Sequence, residues 1–381
     1  LIIGGIGTCE VHTGIGKTII AFRALNTMPK GTNCLFLAEV GVREKTIRDD
    51  AEFFKELYGY NPLDGYNVQF MLYQSAYKTN IQNIFPNSKS TFICYDEIHE
   101  ICSHKRILFV LNSDLRNVKQ IGLSATIDYK TLYEIQGEKI SKLDVLKKFC
   151  PVIYTYSINE AIDDKNTREL KFFILKHDLD IRKNIKTGPK DKQWLTSEKL
   201  AYEYLDKEFK KALFLPNGSS KDFKIRMTSS NRARFLYALE SKIPIVKELI
   251  SKLHGKTLVF GLDNQSLTNI CPTAIVESNK NLAKDLDDFK NGITQLGASN
   301  RILRQGENIK GLANIIFHSY YGKFVPLRQC LGRSRKADSV GIIVLIMTSG
   351  TQEEVWFKNA TEGLKSDWIY TTSIDEIISK I

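Results

Sequence analysis

Three short stretches of this 381-residue chain carry side chains suited to phosphate chemistry. The first is His12-Thr13-Gly14-Ile15-Gly16-Lys17-Thr18, followed by the helix-prone run Ile19–Leu25. Its glycines let backbone N–H groups approach phosphate oxygens, and the helix N-terminus adds its positive end. Lys17 supplies a point charge and Thr18 a hydroxyl for Mg²⁺, so Thr13, Gly14, Gly16, Lys17 and Thr18 are candidate triphosphate ligands. Val11 stands where the usual G-x-x-x-x-G-K-T pattern begins with glycine, which makes this a variant loop. The second stretch is Asp96-Glu97-Ile98-His99, which follows the apolar run Phe92-Ile93-Cys94-Tyr95. Two carboxylates at the C-terminal tip of a buried strand occupy the place where α/β sheets bind ligands. After a phosphate loop, Asp96 is the candidate to hold Mg²⁺ with Thr18, and Glu97 to polarise an attacking water. His99 has two readings: a satisfied polar residue beneath the site, or a link that senses nucleotide. The third stretch, Gly122-Leu123-Ser124-Ala125-Thr126, ends a further strand in small hydroxyl residues; by itself it reads as a loop or a helix cap.

The elements that must position these groups follow from periodicity. Apolar runs at Thr8–His12, Cys34–Ala38, Val68–Leu72, Thr91–Tyr95 and Val118–Leu123 predict strands. Between them Ile47, Ala51, Phe54 and Tyr58 share one helical face. The alternation returns with strands predicted at Thr257–Phe260, Ala274–Val276, Thr294–Leu296, Ala313–Phe317 and Gly341–Ile346, and a helix over Asn281–Lys290. This pattern predicts two α/β domains with parallel sheets. The ground between holds a strand over Leu170–His177 and helices over Thr196–Leu213 and Asn231–Leu253, the latter broken near Pro244. No internal repeat of short period is visible.

Composition sets the outer bounds. The chain is 43% hydrophobic and 25% charged, which predicts a globular protein of two or three domains at ~150 residues each. No apolar run approaches the ~18 residues of a membrane span, so a membrane protein is not expected. Seven scattered cysteines without a C-x-x-C pair point to reduced thiols in an intracellular, cytoplasmic setting and away from structural zinc. The start at Leu1 instead of Met reads as a truncation. The formal charge is +11, and it is uneven. Residues 1–157 hold 18 basic and 16 acidic side chains, whereas 183–235 hold 13 basic and 6 acidic. That basic stretch also carries Trp194, Tyr202, Tyr204, Phe209, Phe214 and Phe223, either to stack on bases or to line the inside of helices.

Taken in order, these residues resemble the superfamily 2 helicases of DExH type. Residues 13–18 look like motif I, 35–40 like motif Ia, 73–75 like the loop before motif II, 96–99 like motif II and 124–126 like motif III. Lys256–Gly261 looks like motif IV, Gln305-Gly306-Glu307-Asn308-Ile309 like motif V, and Gln329-Cys330-Leu331-Gly332-Arg333-Ser334-Arg335 like motif VI. In motif VI the second arginine, Arg335, falls one position early, with Lys336 at the usual place, so either cation is open for that role. The segment Tyr154–Leu179 is similar to that of phage UvsW-type DNA helicases and of type III restriction-type motor subunits.

The resemblance implies two tandem RecA-like domains, with a RecA-like domain 1 over 1–157, a connecting strand and basic helical insertion over 158–235, and a RecA-like domain 2 over 236–381. It implies ATP and Mg²⁺ as cofactors, with Gln329, Arg333 and Arg335 completing the catalytic set of Lys17, Asp96 and Glu97. It places Gly306 and Asn308 among the nucleotide contacts, and His99, Ser124 and Thr126 among the couplers. The expected activity is that of an ATP-dependent helicase or translocase on nucleic acid, DNA favoured over RNA, in the host if the protein is viral. The other readings are a double-stranded DNA translocase that does not separate strands, an RNA helicase, and a nucleotide-gated clamp.

Overall fold

The computed structural model describes residues 5–11, 16–39, 42–86, 88, 90–103, 105–125, 127, 132–135, 138–164, 169–187, 193–300, 309, 311–320, 340–361 and 367–381. They fall into two compact units, residues 1–167 and 168–381.

In chain order the first unit contains β1 (Ile6–Val11), α1 (Lys17–Leu25), β2 (Asn33–Ala38), α2 (Val42–Tyr58), β3 (Asn67–Leu72), α3 (Tyr73–Ala76), α4 (Ile81–Ile84), β4 (Thr91–Asp96), α5 (Leu108–Leu111) and β5 (Val118–Ser124). The hairpin strands β6 (Leu132–Ile135) and β7 (Glu138–Ser141) follow, then α6 (Lys142–Phe149), β8 (Val152–Tyr156) and α7 (Ile158–Asp163). Six strands form one sheet in the order β3-β2-β4-β5-β1-β8, and every pair is parallel. Helices cover both faces, which explains the near-continuous apolar runs. In β2 and β4 the side chains alternate: Cys34, Phe36, Phe92 and Cys94 pack with Phe22 and Phe54 on one face. Leu35, Leu37, Ile93 and Tyr95 pack with Tyr73 and Phe109 on the other. The predicted helical face holds, since Ile47, Ala51 and Phe54 are buried, although Tyr58 at its end is exposed.

The second unit contains β9 (Leu170–His177), a hairpin of β10 (Ile185–Thr187) and β11 (Trp194–Thr196), α8 (Glu198–Leu213), α9 (Ser219–Tyr237), α10 (Lys242–Lys252), β12 (Lys256–Phe260), α11 (Asn264–Ile270) and α12 (Leu282–Lys290). After these come β13 (Leu296–Ser299), β14 (Leu312–Phe317), β15 (Gly341–Thr348), α13 (Gln352–Thr361), β16 (Ile369–Thr371) and α14 (Ile374–Ser379). Its sheet runs β13-β12-β14-β15-β9-β16, again all parallel. Both sheets therefore use one spatial order: third, second, fourth, fifth, first and last strand of the unit. These are tandem RecA-like α/β domains, with the mainly helical basic segment α8–α9 following the first strand of the second unit. All three tryptophans lie in the second unit: Trp368 packs on Phe172 and Phe357, Trp356 against Tyr237, and Trp194 is more than half exposed on β11.

Three sequence expectations need correction. Ala274–Val276 is no strand; only Ile275 bridges to Ser299, because the N–H groups of Ala274 and Val276 are used in turns to Cys271 and Ala274. The strand expected at 294–296 begins at Leu296, since the Thr294 N–H turns back to the Asp288 carbonyl. The long helix at 231–253 does not break at Pro244 but before it. Pro244 sits in the first turn of α10, where a missing N–H removes no helical bond.

Candidate nucleotide site

The C-terminal edge of the first sheet gathers the predicted residues. Register sets Asp96 beside Leu123, and Glu10 beside Ser124, so the ends of β4, β5 and β1 finish at one level. Gly16 precedes α1 with φ 89°, in the left-handed region where a glycine carries no Cβ penalty. Lys17 and Thr18 then open α1, and the Ile19 and Ile20 N–H groups close its first turn on the Gly16 carbonyl at 2.9 and 3.3 Å.

From this helix start Lys17 reaches across to β4. Its Nζ lies 2.5 Å from Glu97 Oε1, with both side chains mostly buried. Asp96, the last residue of β4, is buried, and its carbonyl accepts a 2.8 Å bond from the fully buried Tyr73 hydroxyl. Burial pushes the Tyr73 phenol well up, and the neighbouring Asp96 charge adds to this. Glu97 has φ 51° and ψ 56°, and among the described residues it is the only non-glycine with positive φ. For an ordinary L-residue this conformation costs about 1–2 kcal/mol. It turns the chain sharply off the strand into a 3₁₀ turn at Ile98–Glu100, and the carboxylate meets Lys17. Gly122 makes room for that turn: a Cβ there would sit 2.4 Å from Ile98 Cδ1 and 2.5 Å from Thr8 Oγ1.

His99 and Ser124 are both buried and meet through His99 Nδ1 and Ser124 Oγ at 2.8 Å. The Ser124 hydroxyl and the Ala125 N–H each donate to Glu97 Oε2 at 3.4 Å. His99 Nε2 lies 3.3 Å from Glu100 Oε1, and Arg106 donates to Glu100 Oε2 at 2.6 Å. Burial pushes the Glu100 carboxyl up, but the hydrogen bond and charge of His99, with the Lys142 and Arg106 charges, outweigh it and hold the group near a pKa of about 2. The chain Lys17–Glu97–Ser124–His99–Glu100–Arg106 is thus continuous from the phosphate-loop helix to the far side of the turn.

Structure thus brings together Lys17, Asp96, Glu97, His99 and Ser124, with Gly16 and Thr18 at the head of α1. Thr13, Gly14, Thr126, Gly306, Asn308, Gln329, Arg333 and Arg335 lie outside the described residues. Residues 73–75 form a single helical turn where the sequence suggests a loop. Two supporting residues were missed by motif reading, Glu10, which accepts from the Ile127 N–H at 2.9 Å, and Glu100, while Tyr73 of the stretch before motif II acts as a hydroxyl donor. Only Glu100 had a local signal, as the acid following His99. Thr18 and Asp96 offer hard oxygen donors, a set that suits Mg²⁺ completed by water and phosphate. Among the described residues no group of three or more His, Cys, Asp and Glu forms a dedicated metal cluster, and no helix is long and apolar enough to cross a membrane.

Residues 6–129 match the family of the type III restriction enzyme res subunit. No curated protein matches the chain in sequence. Among solved structures, it is similar to the Pyrococcus furiosus Hef helicase domain, with a TM-score of 0.53 and 14% identity over 94% of this chain and 95% of that one. It is similar to the ATP-dependent type ISP restriction-modification enzyme LlaBIII bound to DNA, with a TM-score of 0.60 and 15% identity over 99% of this chain, which spans 31% of that enzyme. S. cerevisiae Dbp5 bound to RNA and ADP BeF3 gives a TM-score of 0.62 at 11% identity, covering 100% of this chain and 90% of that one. At such identities the likeness is one of fold.

Proposed function

We propose that this chain, of superfamily 2 helicase architecture by family match and fold, hydrolyses ATP with Mg²⁺ to move along nucleic acid, with DNA the favoured track. The observation that carries the reading is the 2.5 Å pair between Lys17 at the head of α1 and Glu97 at the end of β4. A structural lysine and glutamate can pair anywhere. Here they pair where a glycine-capped helix start and an Asp-Glu strand end converge, as phosphoryl transfer to water requires.

In this mechanism the Lys17 and Thr18 N–H groups at the head of α1 and the Lys17 ammonium hold the β- and γ-phosphates. A triphosphate seated there competes for the ammonium that Glu97 otherwise holds. Its arrival releases the Glu97 carboxylate to accept a proton from water as the water oxygen bonds to the γ-phosphorus and the bond to the β-γ bridging oxygen breaks. Thr18 and Asp96 would hold Mg²⁺, which when bound neutralises charge on the β- and γ-oxygens. Arg333, with Arg335 or Lys336, is the proposed source of the further cation, a contribution of ~10³ to 10⁵ in rate in enzymes of this chemistry. The bonds from Glu97 to Ser124 and from Ser124 to His99 make them the proposed route by which phosphate occupancy reaches the nucleic-acid contacts.

That Hef is a helicase domain and that LlaBIII is solved on DNA favour a motor on DNA, while Dbp5 on RNA keeps an RNA track as the competing outcome. ATP turnover measured with single-stranded, duplex and forked DNA and with RNA tests the reading. DNA-stimulated turnover that Lys17→Ala abolishes is expected, with nucleic-acid binding retained. Turnover that survives Lys17→Ala would falsify the site, and stimulation by RNA alone would reassign the track.

A further inference from the structure

Outside the nucleotide site, the hairpin of α8 and α9 leaves several large rings exposed beside lysines. Its root is fixed. Arg232 of α9 pairs with Asp206 of α8, its guanidinium lies 4.0 Å over the Phe209 ring, and it donates to Gln352 of α13 at 3.0 Å. The Tyr202 hydroxyl accepts from the Gln352 N–H at 2.8 Å. Beyond Asp206, α8 runs on for roughly 10 Å at 1.5 Å per residue, and the turn Leu213–Ser220 at its end is wholly exposed.

The far part of the hairpin carries aromatic rings and cations together. Phe214 is 88% exposed, Phe223 64% and Tyr204 63%, values that fit neither a core nor ordinary helix packing. On α8, Tyr204, Lys207, Glu208 and Lys211 follow helical spacing along one face. Lys211 bonds Glu208 at 2.6 Å, and the charges of Lys207 and of Lys224 from α9 also bear on that carboxylate. Three lysines thus surround one acid at the protein surface, where an ion pair is worth little and a phosphate can displace it.

We infer that the outer half of the α8–α9 hairpin is a second nucleic-acid grip that takes a single strand, with Phe214, Phe223 and Tyr204 stacking on bases and Lys207, Lys211 and Lys224 meeting phosphates. The inference rests on the nucleic-acid reading above and adds the segment and the strandedness. Exposed ring faces interleaved with cations match unpaired bases on a phosphate chain, whereas duplex bases are already stacked on one another. A lipid surface would call for an apolar stripe along the helix, but the opposite side of α8, with Tyr202 and Ala212, is buried in the unit and the outer side is broken by Glu208. Charge complementarity selects the polyanion: 183–235 holds 13 basic against 6 acidic residues.

The test uses the whole chain and two variants at surface positions. Affinity for oligothymidine longer than ~16 nucleotides and for a duplex of equal length is measured across a salt series. Lys207→Gln/Lys211→Gln/Lys224→Gln is expected to lower the single-strand slope of log affinity against log salt by about 2, at ~0.7 for each phosphate no longer neutralised. Tyr204→Ser/Phe214→Ser/Phe223→Ser is expected to weaken oligothymidine binding at least ~10-fold while duplex affinity stays unchanged, since stacking is worth ~1–3 kcal/mol per base. Wild-type binding by both variants overturns the grip, as does equal loss of single-strand and duplex binding by the aromatic variant. ATP turnover with saturating duplex DNA, read on the same samples, separates the two claims. Unaffected binding with intact turnover sinks the grip alone, whereas wild-type turnover no higher than that of Lys17→Ala sinks the motor and leaves the grip standing.

Discussion

Lys242 of α10 and Glu353 of α13 are both withdrawn from water, 0% and 1% exposed, with the ammonium 2.8 and 2.7 Å from the two carboxylate oxygens. Glu353 Oε2 also accepts from the Thr348 N–H at 2.8 Å, and Nζ points to the His318 and Ile346 carbonyls at 3.4 Å. Removing one partner strands the other charge in the core. Lys242→Met is therefore expected to lower stability by about 3–5 kcal/mol. The double variant Lys242→Met/Glu353→Gln, which keeps an acceptor for Thr348, should recover most of it. Chemical denaturation of the three proteins checks this, and equal losses in single and double variants would refute the coupling. No local pattern announces this pair, since 111 residues separate its members. Lys17, Asp96 and Glu97 were legible for the opposite reason: backbone chemistry within a few residues demands glycine before the lysine and a strand before the acids. The left-handed backbone at Glu97 was not legible, because glutamate has no preference for it and the packed surroundings impose it.

At the scale of elements, β9 decides how the second unit is built. It runs parallel to β15 through eight register pairs from Leu170↔Gly341 to His177↔Thr348, and β16 pairs with β9. A fragment of residues 168–381 keeps all six strands. A fragment of residues 236–381 leaves the wholly buried β15 as an open apolar edge and deprives β16 of its partner. We expect the longer fragment to be monomeric with a cooperative melt and the shorter one to aggregate, as size-exclusion chromatography and circular dichroism would register; a monomeric shorter fragment would refute this role for β9. Periodicity revealed β9 itself, through its run of apolar residues, but not which sheet it joins, because strand order depends on crossovers that leave no mark on local spacing. The missing strand at Ala274–Val276 has a similar origin: apolar side chains are present, but turns have already taken the backbone donors.

Across the whole molecule the two units share a strand order and differ in how acid reaches them. Burial, then the charge of Lys242, pushes His177 down to about 4, partly opposed by Asp180, while its ring bonds Ser241 at 2.9 Å and Thr348 at 3.3 Å. Burial and Lys242 likewise push His318 down to about 3. Both histidines stay neutral in the folded chain and gain protons on unfolding, so their contribution is complete above pH 6.5 and is lost as pH falls from 6.5 towards 4 and 3. Glu100 in the first unit keeps its contribution above its ordinary value of 4.5 and loses it only as pH drops towards 2. Between pH 7 and pH 5 the His177 shift should remove about 2 kcal/mol from the second unit, at ~1.4 kcal/mol per pH unit. With His318 still in place, His177→Gln should roughly halve the loss between the two pH values in denaturant titrations; an equally steep loss in the variant would exclude His177 as a source.

The placement of tryptophan has a practical outcome. With Trp194, Trp356 and Trp368 all in the second unit, intrinsic indole emission is blind to the first unit and reports one half of the chain without any label. Trp356 and Trp368, packed among aromatic rings, follow that half's integrity, whereas Trp194 on β11 lies just ahead of α8 and faces solvent. A strand arriving at the hairpin would dim that single lamp first.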